Sequence, residues 1–290
     1  MKNLRFGTNV LLVAILILNI AVIPAMSAES KEITDQKKEE KTKKWMDEHT
    51  INVTSIKTYK YEQGKLTKSE IYTGKCLEDK FGLSNITKVE TIPIDTNVMD
   101  TISIDGESFV LTEGNEKVSV TEKAVVLTTA DNPYDWWNDG YSYPQWAWAY
   151  VAYGIYERED PINLVWPSNT VSTVKSEMLD EGWTDYPTQY SRYVADPQWG
   201  WAAGDGVADS VTRPNGGYHV RLWQMSSGAV VANAHHDTAS PHTADQYETA
   251  EEHVAYFYNG GWTVYMDNYD LDNYISSPYN NGWATRIYES

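Results

Sequence analysis

The chain has 290 residues, which predicts about two domains at roughly 150 residues each. Hydrophobic residues make up 41% of it and charged residues 22%, a composition that excludes wholesale disorder and allows a packed core. The formal net charge of −18 excludes nucleic acid as the expected partner, because binding phosphates requires an excess of positive charge. The single cysteine, Cys76, excludes an intrachain disulfide framework and a cysteine-rich zinc site.

Residues 1–28 have the pattern of a secretory signal peptide. Lys2 and Arg5 precede an apolar run from Val10 to Ile23, and small residues up to Ala28 then offer a cleavage point. The run is shorter than the roughly 20 residues that span a bilayer, which favours cleavage over the alternative of an uncleaved anchor. We therefore expect a secreted protein, or one at the extracellular surface, without a transmembrane segment after signal cleavage.

The composition changes near residue 130, which predicts two units, 29–130 and 131–290. The first has 15 Lys and Arg against 19 Asp and Glu, whereas the second has 6 against 22 and contains 11 of the 12 Trp. In the first unit, a charged segment over 29–50 favours a helix, and β-rich runs separated by turn residues over 51–127 predict a small β-rich domain. We find no constellation of chemically active residues there.

The second unit begins with an aromatic run, nine Trp or Tyr between Trp136 and Tyr156. Trp146 and Trp148 alternate with Ala147 and Ala149, which favours a strand over a helix. Such rings either stack on the sugars of a glycan or cover the core, and the second use is the commoner one.

The remaining elements predict an α+β fold class. They are a strand at Ile162–Trp166, a helix capped by Ser168 or Asn169 and ending at Gly182, a long loop over 184–217, strands at Tyr218–Met225 and Ala229–Asp237, a helix at about Ala244–Tyr258, and a strand at Trp262–Asp267. This order is typical of the ferredoxin-like (split β-α-β) arrangement, an antiparallel sheet with two helices. We thus expect a β-rich N-terminal unit followed by a ferredoxin-like domain.

The two central strands place polar side chains on one face. Matching apolar with apolar residues, with a loop at 226–228, sets His219 opposite His235 and Arg221 opposite Asn233. Five of the six His residues lie between 219 and 253, among several acidic residues. His and carboxylate groups are ligands of divalent metal ions and serve as general acids and bases.

These residues supply two overlapping candidate sites. The catalytic candidates are His219, Arg221, His235, Asp237 and His242, in which Arg221 binds an anionic group of the substrate. The metal candidates are His235, Asp237, His242 and Asp245, although their spacing matches no strict metal motif. The alternative is that these residues form an ordinary solvated acidic surface.

Two further acidic sets have a plain alternative. Glu248, Glu251 and Glu252 share one face of the last predicted helix, the face expected to meet water. Asp267, Asp270 and Asp272 resemble a calcium-binding loop loosely, without the glycine that its turn requires.

Several strings in 160–258 resemble the LssY-like C-terminal domain family. They are Asp160-Pro161-Ile162-Asn163-Leu164-Val165, Glu181-Gly182-Trp183, His219-Val220-Arg221-Leu222-Trp223, Asp237, and the stretch from His242 through Asp245 to Glu251. The resemblance implies no settled activity. It implies that six recurrent polar positions form one site, namely His219, Arg221, Asp237, His242, Asp245 and Glu251.

Three functions remain open from the sequence. The first is an exported hydrolase whose site is built from His, Arg and Asp, in which His219 or His235 acts either as a base or as a ligand of a divalent metal ion. The second is an extracellular module that binds a glycan or a cell-surface partner through Trp and Tyr. The third is a structural surface protein without a catalytic site.

Overall fold

The computed structural model describes Lys37, Glu40, Lys43, Lys44 and the ranges 50–92, 100–104, 107–129, 141–185, 192–208, 217–238, 244–258 and 260–290. The first four residues are helical and exposed, within the segment expected to be a helix. The expected signal peptide and His242 lie outside the described residues. No helix in the described ranges is long and apolar enough to cross a membrane.

Strands dominate the described part of the chain. Those before residue 162 are β1 (Thr50–Glu62), β2 (Lys65–Thr73), β3 (Asn85–Ile92), β4 (Thr101–Ile104), β5 (Glu107–Val110), β6 (Glu116–Thr129), β7 (Trp146–Ala152) and β8 (Ile155–Pro161). Those that follow are β9 (Leu164–Trp166), β10 (Thr184–Asp185), β11 (Arg192–Asp196), β12 (Gly200–Ala208), β13 (Gly217–Gln224), β14 (Val230–Asp237), β15 (Ala244–Gln246), β16 (Trp262–Asp270), β17 (Ile275–Ser276), β18 (Tyr279–Asn280) and β19 (Trp283–Glu289). The helices are α1 (Lys75–Phe81), α2 (Val171–Asp180) and α3 (Glu248–Tyr258).

One 15-stranded sheet contains most of these strands. Its main order is β16-β19-β9-β14-β13-β12-β11-β7-β8-β6-β1-β2-β3, with β10 beside β12 and β15 beside β14. The described pairs are antiparallel, except that β19 runs parallel to β9. The helices α2 and α3 pack on this sheet around a core that includes Trp166, Val174 and Val254.

The central hairpin has the predicted register. His219 of β13 lies opposite His235 of β14, and Arg221 lies opposite Asn233. The strand expected from the Trp–Ala alternation is also confirmed as β7. Both results follow from side-chain periodicity, since a slip of one residue would move every apolar side chain of a strand to the wrong face.

The ferredoxin-like fold class is wrong, because the hairpin lies inside a much larger sheet. The segment 184–217, expected to be a long loop with at most one poor strand, supplies β11 and β12, and β12 pairs with the free side of β13. The last predicted strand, now β16, pairs with β19 rather than with β9. The protein is therefore mostly β, with three helices among its described residues.

The small residues of β12 explain why its sequence does not look like a strand. A Cβ atom on Gly204 would lie 2.7 Å from Nε1 of Trp223, so the indole ring fills the space that a side chain would need. Glycine weakens a strand but permits such close packing. Gly204 therefore lowers the strand propensity of β12 and leaves room for the buried Trp223 of β13.

The change in composition near residue 130 does not interrupt the sheet. Leu127 at the end of β6 pairs with Glu157 of β8, so β6 joins the strands on both sides of the expected boundary. The two halves are thus hydrogen-bonded parts of one sheet in the described structure.

Candidate functional site

Alternation along β13 and β14 divides the hairpin between an apolar core and a polar cluster. Val220 and Leu222 pack toward α2 and α3, and the opposite face carries His219, His235 and Asp237. These three side chains are almost inaccessible to solvent, with relative exposures of 4%, 1% and 4%. The alternative of an ordinary solvated acidic surface therefore does not describe this cluster.

His219, His235 and Asp237 form the His–His–Asp site. Nε2 of His219 lies 3.6 Å from Oδ2 of Asp237, and Nε2 of His235 lies 3.5 Å from Oδ1 of the same carboxylate. The imidazole rings have centroids 5.6 Å apart and an interplanar angle of 24°. The register of β14 against β15 shifts between His236 and Asp237, a local irregularity of the kind that re-aims side chains beside sites.

Asn233 determines which nitrogen of His235 carries a proton. Nδ2 of Asn233 donates to the carbonyl oxygen of Pro161 at 2.7 Å, which turns Oδ1 of Asn233 toward His235. Nδ1 of His235 therefore donates to that oxygen, at 2.6 Å. In the neutral imidazole, Nε2 is then an acceptor, and it faces a carboxylate, which is also an acceptor. A cation or a second proton is needed between them.

Arg221 lies on the same face but is committed to another carboxylate. Its NH1 forms a close ion pair with Oδ2 of Asp160, and the hydroxyl of Tyr247 donates to Oδ1 of Asp160 at 2.7 Å. Burial, followed by the charge of Asp160, holds the pKa of Tyr247 well above its usual range. Arg221 is thus paired with Asp160, and its anion-binding role stays a prediction.

Asp245, another predicted metal ligand, lies away from the His–His–Asp site. Asp245, on β15, has Oδ1 at 2.7 Å from Nδ1 of His236, whose side chain points away from the His–His–Asp site. Next to that pair, His253 stacks on Tyr218 with centroids 4.2 Å apart. The structure thus brings together His219, His235 and Asp237 and separates Asp245 from them.

A second cluster, which we call the carboxylate group, contains Glu248, Glu251 and Asp267. Each offers an oxygen atom, and these atoms lie within 4.8 Å of one another. Glu251 is only 1% exposed, so the helix face expected to meet water is buried at this residue. Burial, with Glu248 and Asp267 nearby, raises the pKa of Glu251 well above its ordinary value. Asp272, expected to act with Asp267, instead accepts a hydrogen bond from Tyr141.

Sequence reasoning missed a third polar cluster, in which strands from both halves meet. Nζ of Lys88 lies 3.1 Å from Glu157 and 2.7 Å from Glu159. Arg192 lies 3.1 Å from Glu90 and 3.4 Å from Glu159. We call these five residues, with Glu70 and Lys123, the junction network. Sequence spacing could not have revealed this network, because residues that pair in it, such as Lys88 and Glu157, lie far apart along the chain.

The aromatic run of the second unit is mainly a core feature. Trp146 and Trp148 are buried, and Tyr156 stacks on Trp201 with centroids 4.2 Å apart. Of the run, Tyr150 and Tyr153 are exposed. Within the described residues, these rings are therefore used largely for packing.

Comparison with known proteins adds no assignment. No family model matches the chain, and neither the curated proteins nor the solved structures contain a match to it. The resemblance to the LssY-like C-terminal domain stays a prediction. The fold and the clusters define a mostly β protein with a buried His–His–Asp site.

Proposed function

We propose that the protein is an exported metal-dependent hydrolase whose divalent ion is held by His219, His235 and Asp237. The observation that carries the proposal is the meeting of two acceptors, Nε2 of His235 and Oδ1 of Asp237, at 3.5 Å inside the protein. A metal ion binds both atoms at once and turns the repulsion between two facing acceptors into attraction to a shared cation.

The distances support a metal ion of the zinc class. Zinc binds nitrogen and oxygen ligands at about 2.0–2.2 Å, so neighbouring ligands in a tetrahedron lie about 3.3–3.6 Å apart. Each His–Asp separation agrees with this spacing on its own, at 3.6 Å from His219 to Oδ2 and 3.5 Å from His235 to Oδ1 of Asp237. The three side chains would have to move closer together as they bind one ion. Asn233 supplies the outer hydrogen bond that metal-binding imidazoles usually make, which fixes the ring and directs Nε2 to the ion.

Three protein ligands give the site its chemistry. A tetrahedral ion with three such ligands keeps a fourth position for water, and a bound zinc ion lowers the pKa of that water to about 7. His219 and His235 would hold the ion as neutral donors, and Asp237 would contribute its negative charge. His242, which follows Asp237 by five residues in the sequence, stays a predicted acid–base group.

The proposal is tested by measuring zinc content and affinity in the purified protein and in single variants. We expect one zinc ion per chain in the wild type. His235→Ala and Asp237→Ala should weaken binding by more than about 100-fold, since loss of an outer partner alone costs about 10–100-fold. His236→Ala is the matched control, because the adjacent imidazole belongs to the Asp245 pair.

Hydrolysis is measured on the same proteins with nitrophenyl carboxylic and phosphoric esters. Turnover should require zinc and should be lost in His235→Ala but retained in His236→Ala. Zinc binding without any turnover would contradict the hydrolase and leave a structural metal site. The metal site itself is tested by NMR of the imidazole groups after zinc is added to the metal-free protein. If His235 stays protonated on both nitrogens at neutral pH, zinc does not bind there.

A further inference from the structure

Helix α3 begins against β16 and β19, and the carboxylate group lies in this contact. Glu248 and Glu251 are one turn apart on α3, and Asp267 reaches them from β16. Three formal negative charges whose oxygens lie within 4.8 Å repel one another unless a proton or a cation lies among them. This cluster is independent of the His–His–Asp site, with which it shares no residue.

Glu251 provides a second observation that points to a ligand. Its Oε1 accepts a hydrogen bond from the backbone N–H of Thr285 at 2.8 Å. Its Oε2 is buried and has no hydrogen-bond partner among the described residues. Buried carboxylate oxygens are normally satisfied by donors or by metal ions, so an atom of this kind calls for an explanation.

Asn281 fixes the other two carboxylates in place. Its backbone N–H donates to Oε1 of Glu248 at 2.7 Å, and its Nδ2 donates to Oε2 of Glu248 at 2.7 Å and to Oδ1 of Asp267 at 2.8 Å. The amide orientation is set by Trp283, whose backbone N–H donates to Oδ1 of Asn281 at 2.7 Å. The carboxylates are thus held side by side by their surroundings, a preformed arrangement rather than a chance meeting of surface groups.

We propose that the carboxylate group binds one calcium ion, which ties the start of α3 to β16. Oxygen ligands alone favour a hard cation such as calcium over zinc, which prefers nitrogen and sulfur. The ion offsets the mutual repulsion of Glu248, Glu251 and Asp267 and satisfies the buried Oε2 atom of Glu251. Its role is structural, because the ligands join helix α3 to strand β16.

Calcium titration calorimetry and thermal unfolding of the full chain test this site. We expect one calcium ion per chain, and a rise in Tm of about 5–10 °C at a calcium concentration 100 times Kd. Asp267→Asn should weaken calcium binding at least ten-fold and reduce the rise in Tm at the same calcium concentration to about half or less. Glu252→Gln, at an exposed position on the same helix, is the matched control and should behave as the wild type.

Other results would overturn the calcium site. If calcium does not bind, and Glu251→Gln raises the Tm in calcium-free buffer, a proton shared among the carboxylates explains the cluster. Calcium binding that is unchanged in both Asp267→Asn and Glu248→Gln would place the ion elsewhere. This test is separate from that of the proposed hydrolase. His235→Ala should still bind calcium, and Asp267→Asn should still bind zinc, because the two clusters share no residue.

Discussion

The junction network and the His–His–Asp site are both buried polar clusters, but their charges are arranged differently. In the junction network, each carboxylate has an ammonium or guanidinium group within 4 Å, as Glu159 has Lys88 at 2.7 Å. In the His–His–Asp site, two imidazoles meet one carboxylate, and the nitrogen of His235 that faces it is an acceptor when neutral. A cluster that supplies its own counter-charges stabilises the fold, whereas one in which two acceptors face each other needs a proton or a cation between them.

The largest effect should come from removing one charge of the junction network. Lys88→Met leaves Glu157 and Glu159 buried without their closest cation, and breaking a buried pair in this way costs about 3–5 kcal/mol. Urea unfolding measures the loss. Lys60→Met is the control, because the Lys60–Glu62 pair is exposed and its removal should leave stability unchanged. Equal stabilities for the two variants would contradict a structural role for the network.

Acid should also weaken the junction network. Burial raises the pKa of Glu70, but the charges of Lys123 and Lys68 outweigh it and lower this pKa from the ordinary 4.5 to about 2. Because the folded protein binds this proton less readily than the unfolded chain, the stabilisation is complete above pH 4.5 and is lost as the pH falls toward 2.

Unfolding in urea at pH 7, 5 and 3 checks this dependence, with Glu70→Gln as the comparison. The stability difference between wild type and variant should shrink between pH 5 and pH 3. A difference that stays constant across this range would show that the carboxylate of Glu70 is not the group responsible.

The smallest effect should follow from changing the support of the His–His–Asp site without touching its ligands. Asn233→Ala removes the acceptor for Nδ1 of His235, so the ring loses its fixed tautomer. Zinc affinity should fall about 10–100-fold, which is less than for His235→Ala. If zinc affinity is unchanged while the circular dichroism spectrum stays normal, Asn233 does not position His235 for zinc.

Periodicity predicted the hairpin because its information is local. The alternation of Val220 and Leu222 with His219 and Arg221 fixes which residues share a face, and the loop length fixes the register. The same reasoning could not recognise β12, where the indole ring of Trp223 fills the space that a side chain at Gly204 would need.

Contacts between distant segments could not be predicted from the sequence, for a different reason. Whether Glu251 faces water depends on β19, which follows it by more than 30 residues and covers it. Likewise, the ion pair of Arg221 with Asp160 joins two strands whose proximity the sequence does not reveal. Residue types predicted the chemistry that was available, and only the packed sheet determined which groups meet.

The pairing of β6 with β8 has a practical consequence for dividing the protein. A fragment that stops near residue 130 would present unpaired backbone groups along Leu127–Thr129, and its Lys88 would lack both Glu157 and Glu159. Exposed strand edges recruit other strands, so we expect such a fragment to self-associate instead of remaining monomeric.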